Sequence, residues 1–258
     1  MGHSLRRDQA ISLDQAIQDL QENPHQAARL ALQMAAQGNC EAQALLGQAL
    51  LDGHGIQQDA QLALVWFKIA ANQGHAMASN MAGRCLEHGW GCTANLSEAA
   101  YFYQQAAQTG LDWGLYNLAN LLATGRGVPQ NDLKAFELYQ RAAERGHAKS
   151  MNLVGRYLEE GRAGLPVDET TAYLWYQRSA EAGDFRGQFS LACVLLNHGR
   201  WDEARFWLLQ ALQQGHLKFL RKATDELIAA ALPALQDITE AYIQRRQTLE
   251  AAFTAPDA

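Results

Sequence analysis

The chain has 258 residues and a formal charge of −6, a balance that gives no general electrostatic footprint for nucleic acid or anionic lipid. No apolar run reaches the roughly 18 residues of a membrane span, and the opening "MGHSLRRDQAISLDQ" lacks the apolar core of a secretory signal. Four cysteines in a chain of this length make no disulfide framework, so a cytoplasmic protein with no membrane or nucleic-acid partner is expected.

The first elements expected are helices: one near residues 12–22, with Ile17 and Leu20 on one side, and one opened by Asn23 as N-cap and Pro24 in the first turn, running through Gln37. Residues 1–38 are expected to form an N-terminal helical cap. Helix-ending glycines then stand at Gly38, Gly74, Gly110, Gly146, Gly183 and Gly215, separated by 36, 36, 36, 37 and 32 residues. A fixed period near this length marks a stacked repeat array, here five units at 39–74, 75–110, 111–146, 147–183 and 184–215.

Each unit reads as a helix–loop–helix hairpin. In the first, Leu45, Leu46, Ala49 and Leu50 follow helical spacing. Gly47 costs a helix about 1 kcal/mol against alanine, so the small residue recurring there (Gly83, Ala119, Gly155, Ala192) implies close approach of the paired helix. Gly53 suits the left-handed C-terminal position, and Asp59 and Asp132 suit the start of second helices. Trp66 and Phe67 fill the gap between helices, while Ala70 and Ala71 admit the next unit. Beyond Gly215, in 216–258, one helix is expected to about Ala231 and another from Pro233 to about Phe253, with a frayed tail. Leu235, Ile238, Tyr242 and Leu249 form a stripe that either packs on the fifth unit as a cap or docks a partner or second copy.

The recurring pattern "A…LG…L..G.G…D…A..W(F/Y)..AA..G" resembles the Sel1-like repeat, a relative of the tetratricopeptide repeat with a longer inter-helix loop. The resemblance covers roughly residues 39–215. It implies an all-α fold, a right-handed α-α superhelix of about five Sel1-like hairpins with helical N- and C-terminal caps, and a non-catalytic role in protein–protein interaction. The fifth unit departs most: "LLNHGRWDEARFWLLQALQQG" lacks the glycine pair, is four residues shorter and lies nearer a plain tetratricopeptide hairpin.

The spaced glycines Gly53/Gly55, Gly89/Gly91, Gly125/Gly127 and Gly161/Gly164 could each open a phosphate loop, but they recur with the helices and lack a phosphate-gripping lysine, so they read as spacers. No nucleotide, metalloprotease, esterase or thiol-redox motif is present, so no catalytic residue and no cofactor are assigned. "CLEHGWGC" brings Cys85, Glu87, His88 and Cys92 within eight residues as a metal constellation. Against this, Cys92 takes the slot of Ile56 and Val128, where an apolar plug is expected, so no metal site is assigned. His75, His147 and His216 share one slot of the repeat.

By analogy with tetratricopeptide hairpins, positions three, six, ten and thirteen of each unit line a concave groove. These are Glu41, Ala44, Gln48 and Leu51; Met77, Asn80, Arg84 and Glu87; Trp113, Tyr116, Asn120 and Ala123; Lys149, Asn152, Arg156 and Glu159; then Arg186, Phe189 and Cys193. Asn-x-x-x-Arg-x-x-Glu therefore occurs at 80–87 and again at 152–159. In one reading Asn80, Arg84, Trp113, Tyr116, Asn120, Lys149, Asn152, Arg156 and Arg186 bind a protein or extended peptide bearing an acidic or carboxylate segment. In the other this is a solvated face with Arg84–Glu87 and Arg156–Glu159 as local ion pairs. Two further functions stay open, a regulatory subunit that tethers or inhibits an enzyme, and a hydrolase or metal-dependent enzyme.

Overall fold

A computed structural model describes residues 23–254, and the expected helix near residues 12–22 lies outside them. Thirteen α-helices and no strand occur among the described residues: α1 (Pro24–Ala36), α2 (Cys40–Asp52), α3 (Ala60–Asn72), α4 (Ala76–His88), α5 (Leu96–Gln108), α6 (Asp112–Thr124), α7 (Asp132–Glu144), α8 (Ala148–Glu160), α9 (Glu169–Glu181), α10 (Phe185–Asn197), α11 (Trp201–Gln214), α12 (Leu217–Ala230) and α13 (Gln236–Thr254). Short 3-10 turns at Arg162–Gly164 and Pro233–Leu235 complete the set. The chain divides into two compact units, one up to Asn131 and one from Asp132.

Helix boundaries follow from their caps. Asn39, His75, His147, Asp184 and His216 stand immediately before α2, α4, α8, α10 and α12, and each side chain accepts a backbone N–H of the first turn. Such a cap stabilises a helix by about 1 kcal/mol. A histidine can do this only through an unprotonated Nδ1, which leaves Nε2–H as donor; at His75 that N–H faces Glu41 Oε2 at 2.8 Å. Leu111 has no capping side chain. At the other end of α2, α4, α6 and α8 stand Gly53, Gly89, Gly125 and Gly161 in left-handed conformation.

Within a hairpin the two helices meet at the recurring small residue. A Cβ on Gly83 would lie 2.6 Å from the Tyr103 ring, and one on Gly155 the same distance from the Tyr176 ring. Each tyrosine then donates its hydroxyl to the glutamate ending the first helix, Tyr103 to Glu87 at 2.7 Å and Tyr176 to Glu159 at 2.6 Å. Burial, then the adjacent carboxylate, push both phenols well above their usual range. In the first hairpin Phe67 lies across Gly47, and the glutamate slot is Leu51. Hydroxyl and carboxylate are thus both present or both absent in these three hairpins.

Successive hairpins of the first unit are joined by their loops. Gly55, Gly91 and Gly127 lie against the backbone that opens α1, α3 and α5 respectively, so close that a Cβ on Gly127 would be 2.5 Å from Leu96. Ser97 Oγ donates to the Gly127 carbonyl at 2.9 Å, and His25 Nδ1 lies 2.9 Å from the Gly55 carbonyl. The start of α1 therefore receives a loop just as α3 and α5 do. Beyond spacing the helices, these glycines seat one hairpin on the next.

In the second unit, Tyr176, Leu191, Leu195, Leu208, Leu220 and Tyr242 anchor a continuous core from α9 to α13. Leu235, Ile238 and Tyr242 are at most 1% exposed, and the Tyr242 hydroxyl donates to the Leu208 carbonyl at 2.8 Å. Leu235, Ile238 and Tyr242 of the C-terminal stripe pack on the fifth hairpin, while Leu249 is partly buried beside an open cavity bordered by His216 and Arg245.

Candidate partner-binding faces

In the first unit, the face made by α2, α4 and α6 carries two cavities. One of about 210 Å³ is lined by Glu41, Gln48, His75, Met77 and Met81; the other, about 350 Å³, by Gln48, Gln58, Met81, Arg84 and Trp90. Met77 and Trp113 occupy the third position of the α4 and α6 hairpins, 43% and 38% exposed, and Trp113 meets Tyr116 edge-on at 6.2 Å. Asn120 is half-buried. Arg84 lies over the Trp90 ring at 5.1 Å, with Nη1 3.5 Å from the Met81 sulfur. The face thus joins a cation, two methionines and aromatic edges, a combination suited to an apolar segment with a negative charge.

Two expectations are corrected on this face. Asn80 is buried, and its Oδ1 accepts from Asn117 Nδ2 at 2.9 Å, so it ties α4 to α6 and does not reach a ligand backbone. The local pair Arg84–Glu87 is not formed: Glu87 accepts from Tyr103 and from the Arg126 guanidinium of the next loop.

In the second unit the corresponding face carries three cations with carboxylates beside them, Arg186 lying 3.9 Å from Asp184. Lys149 and Arg156 on α8 and Arg186 on α10 are all half-buried. Arg156 pairs with Glu160 at 2.9 Å, one helical turn on, and not with Glu159, whose carboxylate holds Tyr176. Arg186 stacks on Phe185 and its guanidinium lies 3.1 Å from His216 Nε2, a contact that is a hydrogen bond only in the tautomer that gives up the Nδ1 cap. Burial and then that guanidinium hold the His216 imidazole below its ordinary value. Asn152, like Asn80, is buried, with Oδ1 unpaired, and the position equivalent to Asn117 holds the shorter Ser190. It too is withdrawn from the contact face.

The cysteine-rich stretch does not converge on one point. Cys92 Sγ points at the Cys85 carbonyl, Glu87 is occupied as described, and His88 stacks on Trp90 at 4.9 Å. Among the described residues no three His, Cys, Asp or Glu side chains are grouped to hold a metal ion. Burial pushes the Cys85 thiol up to about 11 and the Cys193 thiol up to about 12, away from thiolate reactivity. No described helix is long and apolar enough to cross a membrane.

Four partners escaped sequence reasoning: Asn117 for Asn80, Trp90 for Arg84, and Tyr103 and Tyr176 for the two glutamates. Only the last two had a signal, because Tyr103 and Tyr176 follow their glutamates at 16 and 17 residues.

Comparison with known proteins agrees with this architecture. The Sel1 repeat model matches residues 17–39, 40–75, 76–111, 114–147, 148–184 and 202–216. Its first match takes in α1, in keeping with the loop seated there. A Sel1 repeat protein from Oxalobacter formigenes superposes with a TM-score of 0.79 at 25% identity, covering 90% of this chain and 94% of that one. The uropathogenic Escherichia coli antigen c5321, which displays an SLR fold, gives 0.75 at 20% identity over 86% of this chain and 48% of its own. Chitin synthase regulatory factor 4 of Schizosaccharomyces pombe is 29% identical over 78 residues, 30% of this chain and 12% of that protein. With an all-α solenoid fold and repeats matched along most of its length, this chain belongs to the Sel1 repeat family.

Proposed function

We propose that the protein is a non-catalytic, cytoplasmic adaptor that binds a partner protein through the first-helix faces of its hairpins. The observation that carries this reading is the exposure of Met77 and Trp113 on first helices of the unit whose two open cavities are lined by Met77, Met81, Arg84 and Trp90, since exposed large apolar side chains together with a cation mark an interaction surface more than a solvated one. The partner segment is acidic or carboxylate-bearing and carries apolar side chains; in the second unit Lys149, Arg156 and Arg186 supply the complementary charge. A partner is first identified by cross-linking and mass spectrometry. Its affinity is then measured for Arg84→Glu, Arg156→Glu and the double variant, with the far-UV helix signal recorded beside it. Loss of binding by about tenfold or more in folded variants is expected, with weaker binding at high salt. Unchanged affinity in a folded double variant overturns the reading.

A second reading is a regulatory subunit that tethers or inhibits one enzyme, favoured by the match to a protein named as a synthase regulatory factor. It requires a stable stoichiometric complex, whereas the adaptor retains micromolar-scale binding of an isolated short segment.

A further inference from the structure

Four second helices receive a loop at their N-terminus. Gly55, Gly91 and Gly127 rest on α1, α3 and α5, and the turn Arg162–Gly164 reaches the start of α7 through Arg162 and Asp132 at 3.4 Å. The equivalent seat on α9 receives no glycine loop, because α10 and α11 are joined by residues 198–200 alone; from these Arg200 reaches α9, donating to the Tyr173 hydroxyl at 3.0 Å. A cavity of about 400 Å³ occupies the place, bordered by Glu159, Glu169, Thr170, Tyr173, Val194 and Arg200.

The empty seat keeps the chemistry of the filled one on α5. There, Glu87 accepts Tyr103 through Oε2 and Arg126 through Oε1, while Ser97 holds the Gly127 carbonyl. In the cavity, Glu159 stands at the position of Glu87; its Oε2 accepts Tyr176, and its side chain is exposed. Thr170 is the second residue of α9, as Ser97 is of α5, and carries the same hydroxyl. We propose that this cavity docks a Gly-Arg-Gly turn from a partner protein, with the arginine on Glu159 and the second glycine's carbonyl on the Thr170 hydroxyl. The guest needs glycine for the reason Gly127 is glycine, the approach of its backbone to a helix terminus. A second copy of this chain is a poor source, because its own turns at Gly55, Gly91 and Gly127 are already seated. The inference rests on the adaptor reading but uses the C-terminal end of α8 at Glu159 and the start of α9, and involves neither Arg84 nor Arg156.

The probe is a blocked synthetic peptide of residues 123–131, titrated into the full chain by NMR. Saturable binding is expected, weakened about fivefold by alanine in place of the peptide's arginine, and similarly by Glu159→Gln. The two changes together cost no more than either alone, because they remove one contact. Glutamine still accepts the Tyr176 hydroxyl, so the variant folds. Replacing residues 198–200 with the seven residues 125–131 fills the seat in cis, which raises Tm and abolishes peptide binding. No saturable binding at about millimolar peptide, binding indifferent to both the arginine and Glu159, or undiminished binding to the folded loop graft overturns the proposal. Should the graft fail to fold, the peptide and Glu159→Gln pair still decides. Failure here leaves the first-helix face untouched, since that face is tested on Arg84 and Arg156 with a natural partner.

Discussion

Gly83 illustrates how a single missing methyl group organises a hairpin. Alanine there would gain about 1 kcal/mol of helix propensity, yet its Cβ would meet the Tyr103 ring at 2.6 Å. The ring has little freedom to retreat, because Glu87 holds its hydroxyl. Overpacking of this kind costs about 1–3 kcal/mol, so Gly83→Ala is expected to lower stability in a denaturant titration despite its better propensity. His216 shows the same dependence of a residue on its neighbours. Its folded pKa lies below the ordinary 6.5 because of burial and Arg186, with Lys149 and Lys218 adding to the effect. The unfolded chain therefore binds the proton more readily, so this stability is fully present above pH 6.5 and is lost as pH falls through the folded pKa. Protonation also removes the Nδ1 acceptor that caps α12. His216→Asn keeps a cap and should flatten the Tm difference between about pH 7 and pH 5; an unchanged difference assigns the pH dependence elsewhere.

At the scale of elements, hairpins were legible because a period multiplies weak signals. The sequence showed only that His75, His147 and His216 share one slot; that this slot caps the first helices, through Asn39, His75, His147, Asp184 and His216 but not Leu111, came from the structure. The seating of loops was not legible, since a glycine required by a left-handed turn and one required by close approach look alike in sequence. Gly127 meets both demands, with φ +71° and Leu96 backbone 2.5 Å from its would-be Cβ. Gly127→Ala should therefore cost about 2 kcal/mol or more, measured by urea unfolding. Arg126→Ala, which removes only the half-exposed pair to Glu87, should cost about 1 kcal/mol or less. Similar losses for both would mean that the loop is held by charge and not by backbone fit.

Across the whole molecule, the candidate contact face was legible only in part. Helical spacing puts Met77, Arg84 and Trp113 at groove positions of their hairpins, but spacing cannot say how deep a side chain lies. Asn80 and Asn152 fall on the boundary where neighbouring first helices meet, and there they are buried. Array construction also sets how damage spreads. In the second unit, helices contact chiefly their neighbours in sequence and the next equivalent helix. Gly155→Ala should therefore speed amide exchange in α8 and α9 while α12 and α13 keep their protection; uniform loss would instead indicate a single cooperative block.

The linked choice at the hairpin core has a consequence for anyone building new arrays from this one. Phe67 goes with Leu51, Tyr103 with Glu87, and Tyr176 with Glu159, while the third hairpin keeps Tyr139 with Ala123 in the glutamate slot, so a glutamate always comes with tyrosine but tyrosine does not always come with glutamate. A consensus taken column by column would treat the two positions as independent and could combine tyrosine with leucine, or phenylalanine with glutamate. The third hairpin tolerates the first mixture's lack of a carboxylate, whereas the second leaves a carboxylate without its donor at a cost of about 1–3 kcal/mol. Stacked through many copies, such an error would accumulate with length, so a designed array should draw each residue pair as one letter of its alphabet.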